Sequence, residues 1–213
     1  AAPAAAPAAA PAAAPETTKG PGASKQEKGT IVFAQSTLQC PHGINTVYCG
    51  AYDSVAWGIG EDLFTWRWKD GGGINYEAGQ LAESYTLSDD LSTLSVKIRS
   101  GVTFHKGYGT MTADDVVHSY NKTNPMITPH SIAPSAANFA SLFGKNPAVA
   151  DGSNVNFVFE NFDVAWVNNL MNTGGFVGVV IHSKKAFDEN DETWAKENVV
   201  ATGPYEVESW VRD

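Results

Sequence analysis

The stretch that decides the fold is AGQLAESYTLSDDLSTLSVKIRSGVTFHKGYGTMTADDVVHSYNK, residues 78–122. Two runs, at 84–87 and 92–99, flank the turn-prone pair Asp89 and Asp90. In the second run Leu94, Val96 and Ile98 alternate with Ser95, Lys97 and Arg99. A period of two is the signature of a half-buried strand, so the pair predicts a β-hairpin. Residues 102–105 form another short apolar run, expected as a strand ending at Lys106 and Gly107. A helix start follows. Thr112 stands at the N-cap position, and Asp115, three residues on, can reach back to it. Asp114 and Asp115 sit in the first turn, where the helix dipole favours negative charge. Val116, Val117 and Tyr120 supply the apolar face. In this reading Thr112 is the principal element of the cap and Asp115 the lesser one.

Outward from this stretch, strand and helix signals alternate. Residues 30–34 (TIVFA) predict a buried strand, and 155–159 a second one. Residues 163–171 read as a helix, 177–181 as strand-like, 184–187 as the opening of a short helix and 205–211 as a final strand. Gly71 to Gly73 form a turn, because neither a lysine nor a helix start follows them to make a phosphate cradle. Gly203 and Pro204 form another turn. The mixture is α/β of the mixed α+β kind, with more strand than a doubly wound domain shows.

At the N-terminus, residues 1–15 are only Ala and Pro, with proline at 3, 7, 11 and 15. Proline every fourth residue forbids a stable helix and favours an extended spacer. Residues 16–28 add Gly, Ser, Thr and charge. Residues 1–28 are therefore expected to be a disordered tail and linker, and residues 29–213 the folded part.

Composition narrows the function. A net charge of −9 argues against nucleic acid as a partner, because phosphate binding needs a basic face. No apolar run approaches the roughly 20 residues that span a bilayer. Gly-x-Ser-x-Gly, Walker and His-Glu-x-x-His motifs are missing. Asp114 and Asp115 are no catalytic pair, since neighbours on a helix point about 100° apart. His105 and His118 belong to no recognisable metal-ligand spacing, and the other histidines, at 42, 130 and 182, are scattered. No cofactor is called for. Trp57, Trp66 and Trp68 lie close to Tyr48, Tyr52 and Phe64. Such clusters usually pack into cores, which is the expectation for most of them. Trp66 is the member considered as part of a ligand wall.

The central stretch resembles the family 5 extracellular solute-binding proteins, the peptide, oligopeptide and nickel receptors of ABC importers. The resemblance rests on Leu81 to Ser84, on Ile98 to His105, on Gly107, on Thr112 to Val116 and on Ser119 with Tyr120. Further on, Ala201-Thr202-Gly203-Pro204-Tyr205 is similar to the family's Gly-Thr-Gly-Pro-Tyr. Tyr108 and Gly109 are an insertion, Ala201 replaces a glycine, and residues 40–68 match loosely.

The resemblance implies a periplasmic-binding-protein-like lobe of the second class with a strand-rich subdomain. Family members are commonly more than twice as long, so the chain is expected to stop before the second lobe. The implied function is capture of a short peptide, a nickel chelate or an oligosaccharide by lobe closure, for delivery to ABC permease subunits, without catalysis. The implied location is periplasmic or at the extracellular face, where a lipid anchor is one means of attachment. Two other classes stay open: a peptide-signal receptor or surface adhesin, and a secreted hydrolase whose active site lies beyond this chain.

The loop after the first strand, with Gln35, Ser36, Thr37 and Leu38, is the expected ligand-facing segment, because ligands sit beyond the carboxyl ends of strands in such sheets. Cys40 and Cys49 fit one local disulfide in an exported protein. A pair of buried thiols is the alternative.

Overall fold

The computed structural model describes residues 29, 57–129, 131–133, 135–167 and 178–209. Residues 1–28, the strand expected at 30–34, the loop Gln35 to Leu38, and Cys40 with Cys49 lie outside the described residues. Apart from Gly29, the described residues belong to one unit, Thr37–Asp213.

The predicted hairpin is the centre of the main sheet. β3 (Ala82–Leu87) pairs antiparallel with β4 (Thr93–Ile98). Leu94 and Val96 are fully buried and Ile98 nearly so, while Lys97 and Arg99 face solvent. The turn is tied by Asp90, whose carboxylate accepts from the Ser88 hydroxyl and from the Ser92 amide and hydroxyl. Those bonds hold the Asp90 carboxyl below the usual range. On the far side of β4 lies β6 (Asn154–Val158), also antiparallel, with Leu94 opposite Phe157 and Val96 opposite Val155. β5 (Val149–Asp151) closes the sheet, giving the order β3-β4-β6-β5. Before it, β1 (Phe64–Trp68) and β2 (Ile74–Gly79) form a separate two-stranded ribbon.

Helix α1 (Ala113–Thr123) covers the sheet. Val116 and Tyr120 face inward, and the Tyr120 ring meets Phe157 edge-on at 4.9 Å. Asn121 brackets the start of β5, donating to the Ala148 carbonyl and accepting from its amide. Helix α2 (Ala136–Phe143) adds Phe139 and Phe143 to the same core. Helices α3 (Lys184–Asp188) and α4 (Glu192–Glu197) are short, with Ser183 and Asp191 as their N-caps.

The cap of α1 corrects the sequence reading in one respect. The Asp115 carboxylate accepts from both the amide and the hydroxyl of Thr112, at 2.8 Å each, and also from the Lys184 amide at 2.8 Å. Asp115, rather than Thr112, is therefore the principal element, because it ties α1 to the start of α3.

Three expected strands, at 102–105, 177–181 and 205–211, are not strands over their described residues. At 102–105 only a single bridge forms, Thr103 to Thr110, and His105–Gly107 is one 3-10 turn. Lys106, Gly107 and Gly109 all take positive φ, which curls the chain before a ladder can form. Residues 178–183 and 205–209 also carry no strand. The helix expected at 163–171 begins after Asp163, whose carboxylate accepts from the Ala165 amide. Its remainder lies outside the described residues.

Instead of a ladder, segments 57–63, 178–183 and 199–205 are joined by individual backbone bonds. Ile181 donates to Glu61, Ser183 to Val200, Gly203 to Ile59 and Tyr205 to Gly58. Ile59, Val180, Val199 and Ala201 form a small second core between them. A Cβ on Gly203 would stand 2.3 Å from the Gly58 carbonyl oxygen, so only glycine permits this approach.

Candidate functional site

The ribbon β1–β2 carries the one expected ligand-facing residue that the structure describes. Phe64 turns into the core and meets Tyr85 and Trp166 edge-on, at 5.6 and 5.7 Å. Past it the strand turns its side chains outward. The register shifts between Thr65 and Arg67, so Trp66 sits in the irregularity. Such a break re-aims a side chain. Trp66 is 43% exposed and Trp68 72%, their rings edge-on at 6.2 Å. The expectation that most of this aromatic cluster packs inside thus holds for Phe64 and fails for these two. Trp57 is half-buried against the smaller core. Gln35, Ser36, Thr37 and Leu38 lie outside the described residues, so their relation to Trp66 stays an expectation.

Elsewhere, an open cavity of about 400 Å³ lies between the N-terminal end of α1 and helix α3. Tyr108, Thr112, Asp114, Lys184, Asp188 and Glu189 are among its walls. Its charges are largely answered locally. Lys184 pairs with Asp188, and Lys185 with Glu189 at 3.7 Å. The Lys184–Asp188 hydrogen bond holds the amine up and the carboxyl down from their ordinary ranges. Asp114 is exposed and Asp115 buried, as their helix spacing requires.

Buried titratable groups mark the junction between the two cores. Asp62 is fully buried and accepts from the Leu63 amide, the Tyr120 hydroxyl and the Val179 amide. Burial pushes its carboxyl up to about 8, against the lowering effect of those three bonds. Tyr120 is raised well above its ordinary value by burial and by Asp62 beside it. His182 is buried and pushed down to about 3, first by burial and then by His118 and His105. His118 packs 4.8 Å from the Phe187 ring and is pushed down to about 4, mainly by burial, with Lys122 adding to it. His105 lies within 2.7 Å of the Gly203 carbonyl through Nε2, and its Nδ1 faces the Ala201 amide at 3.4 Å. His105 thus fastens its turn to residues 201–203, while the His118 and His182 rings pack against Phe187. Among the described residues no group of three or more His, Cys, Asp or Glu is placed to hold a metal ion.

Asp62 is a residue that sequence reasoning missed. A lone aspartate in IGEDLF carries no local motif, and its partners are 58 and 117 positions away. The only signal was an acid inside an otherwise apolar approach to β1.

Known proteins place this arrangement. Residues 78–213, more than half of the chain, match the family model described as bacterial extracellular solute-binding proteins, family 5 Middle. Among solved structures, the chain is similar to the solute-binding protein MoaA of A. tumefaciens R10 in complex with mannopinic acid. That match has 28% identity and a TM-score of 0.57, over 81% of this chain and 32% of that one. It is also similar to the oligopeptide-binding protein AppA of Bacillus subtilis in complex with a nonapeptide, at 21% identity and TM-score 0.61, covering 83% and 33%. A third is NikZ of Campylobacter jejuni in complex with Ni(L-His), at 19% identity and TM-score 0.56, covering 85% and 32%. The chain spans about a third of the length of these structures. With a mixed α/β fold like theirs and a family match over most of its described residues, the chain belongs to the family 5 extracellular solute-binding proteins.

Proposed function

We propose that this chain is the N-terminal portion of an extracytoplasmic receptor that captures short peptides and presents them to the permease of an ABC importer. The family match over residues 78–213 carries the reading. The likeness in fold to an oligopeptide-binding protein in complex with a nonapeptide is compatible with peptides, as the likenesses to structures holding mannopinic acid and Ni(L-His) are with those solutes. In this reading residues 29–213 form most of one lobe with its strand-rich subdomain, and residues 1–28 are a spacer, in keeping with a lipid-anchored or free extracytoplasmic form. The ligand is held between this lobe and a second one, and closure expels water and creates the surface that the permease meets. Trp66, outward-facing on its ribbon, and the loop Gln35, Ser36, Thr37 and Leu38 are the contacts on this side. A disulfide between Cys40 and Cys49 would brace the segment that follows this loop.

The test is calorimetry combined with mass spectrometry of any solute carried through purification. Pools of di- to nonapeptides, nickel with L-histidine, and mannopinic acid are titrated in turn. In a receptor that carries both lobes, saturable heat with peptides, weakened by Trp66→Ala, is expected, whereas the 213-residue chain alone, which supplies one wall, should bind weakly or undetectably. Saturable heat with nickel–histidine or mannopinic acid and none with peptides would overturn the peptide assignment while leaving the family intact.

A further inference from the structure

We propose that Asp62 is a proton-operated clasp: it joins three distant stretches of the chain and keeps a proton in the folded protein that the unfolded chain releases near neutral pH. The geometry comes first. Oδ1 accepts from the Leu63 amide at 2.6 Å and from the Tyr120 hydroxyl of α1 at 3.1 Å. Oδ2 accepts from the Val179 amide at 2.9 Å. The Asp62 amide donates to the Gln80 side chain, between β2 and β3, at 3.2 Å. One carboxyl thus binds the approach to β1, the main helix and the returning segment 178–183.

Among the described residues no cation answers it. From α1 the facing titratable group is Tyr120, whose hydroxyl stays protonated. From segment 178–183 it is a backbone amide, and from the β2–β3 connection a neutral glutamine. The neighbouring Glu61 turns to the Thr202 hydroxyl at 2.8 Å. A buried carboxylate with hydrogen bonds but no counter-charge stays costly, so it retains its proton. The proton has a place to go. Backbone amides only donate, but a tyrosine hydroxyl can donate or accept. A proton on Oδ1 reverses the Tyr120 bond and weakens the Leu63 contact to the same oxygen, while the Val179 contact on Oδ2 stays.

The pH dependence follows. The folded carboxyl titrates near 8 and the unfolded one near 3.8. Below both values the two states are equally protonated, and the clasp's contribution is fully present. As pH rises between them only the folded state holds the proton, so stability falls, at up to about tenfold in the unfolding constant per pH unit. His118 and His182 act oppositely. Both are depressed in the folded state, so their contribution is present above about 6.5 and lost as pH falls through about 4 and 3. Above pH 7 both histidines are mostly neutral in either state, so between pH 7 and 8 Asp62 sets the slope and they offset a smaller part of it. A receptor outside the cytoplasm meets external pH directly, and such a clasp favours the acid side.

The experiment is urea unfolding of the full 213-residue chain at pH 7.0, 7.5 and 8.0, beside Asp62→Asn and Tyr120→Phe. The wild-type unfolding constant is expected to rise by roughly threefold across that unit, after the opposing histidines are counted. Asp62→Asn should flatten the dependence, and Tyr120→Phe should shift it to higher pH by removing a donor that favours the ionised carboxylate. Should Asp62→Asn not fold, proton release decides on wild type alone: unfolding at pH 7.5 in weakly buffered solution with an indicator dye should free about half a proton per molecule, the Asp62 release less the uptake by His118 and His182. No release with a flat wild-type profile overturns the proposal. So does a slope that persists in Asp62→Asn, because the proton then belongs to another group.

Discussion

The sheet β3-β4-β6-β5 and the junction of segments 57–63, 178–183 and 199–205 bury apolar residues by different means. The sheet repeats one device. Each strand alternates, each inward residue meets another across a ladder, and α1 and α2 close the layer with Tyr120, Phe139 and Phe143. The junction has no ladder. Its four-residue core depends on single backbone bonds, on the close approach of Gly203, and on polar groups at the buried Asp62 and the half-buried His105. A repeated device spreads the consequence of any one loss. A junction made of unlike contacts gives each of them a local task.

The sharpest way to break this comparison is to damage both regions. Leu94 is fully buried on a central strand. Leu94→Ala should lower stability by about 2–5 kcal/mol, since the lost transfer energy adds to a cavity. Urea unfolding measures it, and a loss below about 1 kcal/mol would mean that the sheet collapses onto the gap. Gly203→Ala places a Cβ against the Gly58 and Ile59 carbonyls and should cost about 1–3 kcal/mol through overpacking. Hydrogen exchange separates the two effects. The Gly203 variant should speed exchange at residues 199–205 while the β4 and β6 amides keep their protection. Uniformly faster exchange would show one cooperative unit and remove the distinction.

The same contrast decides what could be read from the sequence. Periodicity and capping are local, so the β3–β4 hairpin, β6 and α1 were legible from Leu94, Val96, Ile98, Thr112 and Asp115. The junction is not local. Val180 and Ile181 are apolar because they are buried, and a run of apolar residues looks like a strand whether or not a ladder awaits it. Their neighbours come from 120 or so positions earlier. β5 is three residues long and is held by Asn121 rather than by its own pattern. α2 begins at Ser135 without a side-chain cap bond, and nothing in AANFASLF announces its start. Trp66 was legible as a candidate but not as an outward residue, because the register break is a property of the β1–β2 pair. Of the candidate site, then, only the aromatic ribbon can be located. Gln35 to Leu38 lie outside the described residues.

Asp115 links the two regions, which sharpens the comparison at intermediate cost. It is buried on α1 and accepts from Thr112 and from the Lys184 amide. Asp115→Asn keeps one acceptor oxygen and turns an amide toward the other donors. It should cost about 1–3 kcal/mol, as expected for buried groups left unsatisfied. Thr112→Ala removes only a hydroxyl bond and should cost about 0.5–2 kcal/mol. The order is the informative part. If Thr112→Ala were the more damaging change in matched thermal melts, the tie to α3 would carry no weight and Asp115 would be a cap alone.

The smallest expected effect tests whether surface charge adds to the sheet. Lys97 on β4 reaches Glu83 on β3 at 3.0 Å, with both side chains about half exposed. Glu83 sits where the β3–β4 register shifts, between Ala82 and Ser84, so the pair is not set by a regular cross-strand position. Water screens the attraction, and holding two long side chains in one geometry costs entropy. A double-mutant cycle with Glu83→Gln and Lys97→Met should therefore return a coupling of about 0.2–1 kcal/mol. The coupling should shrink in 1 M salt, where the screening length falls to about 3 Å. A coupling above about 2 kcal/mol that ignores salt would mean that the pair pins the register at the bulge, and that the sheet depends on a singular contact as the junction does.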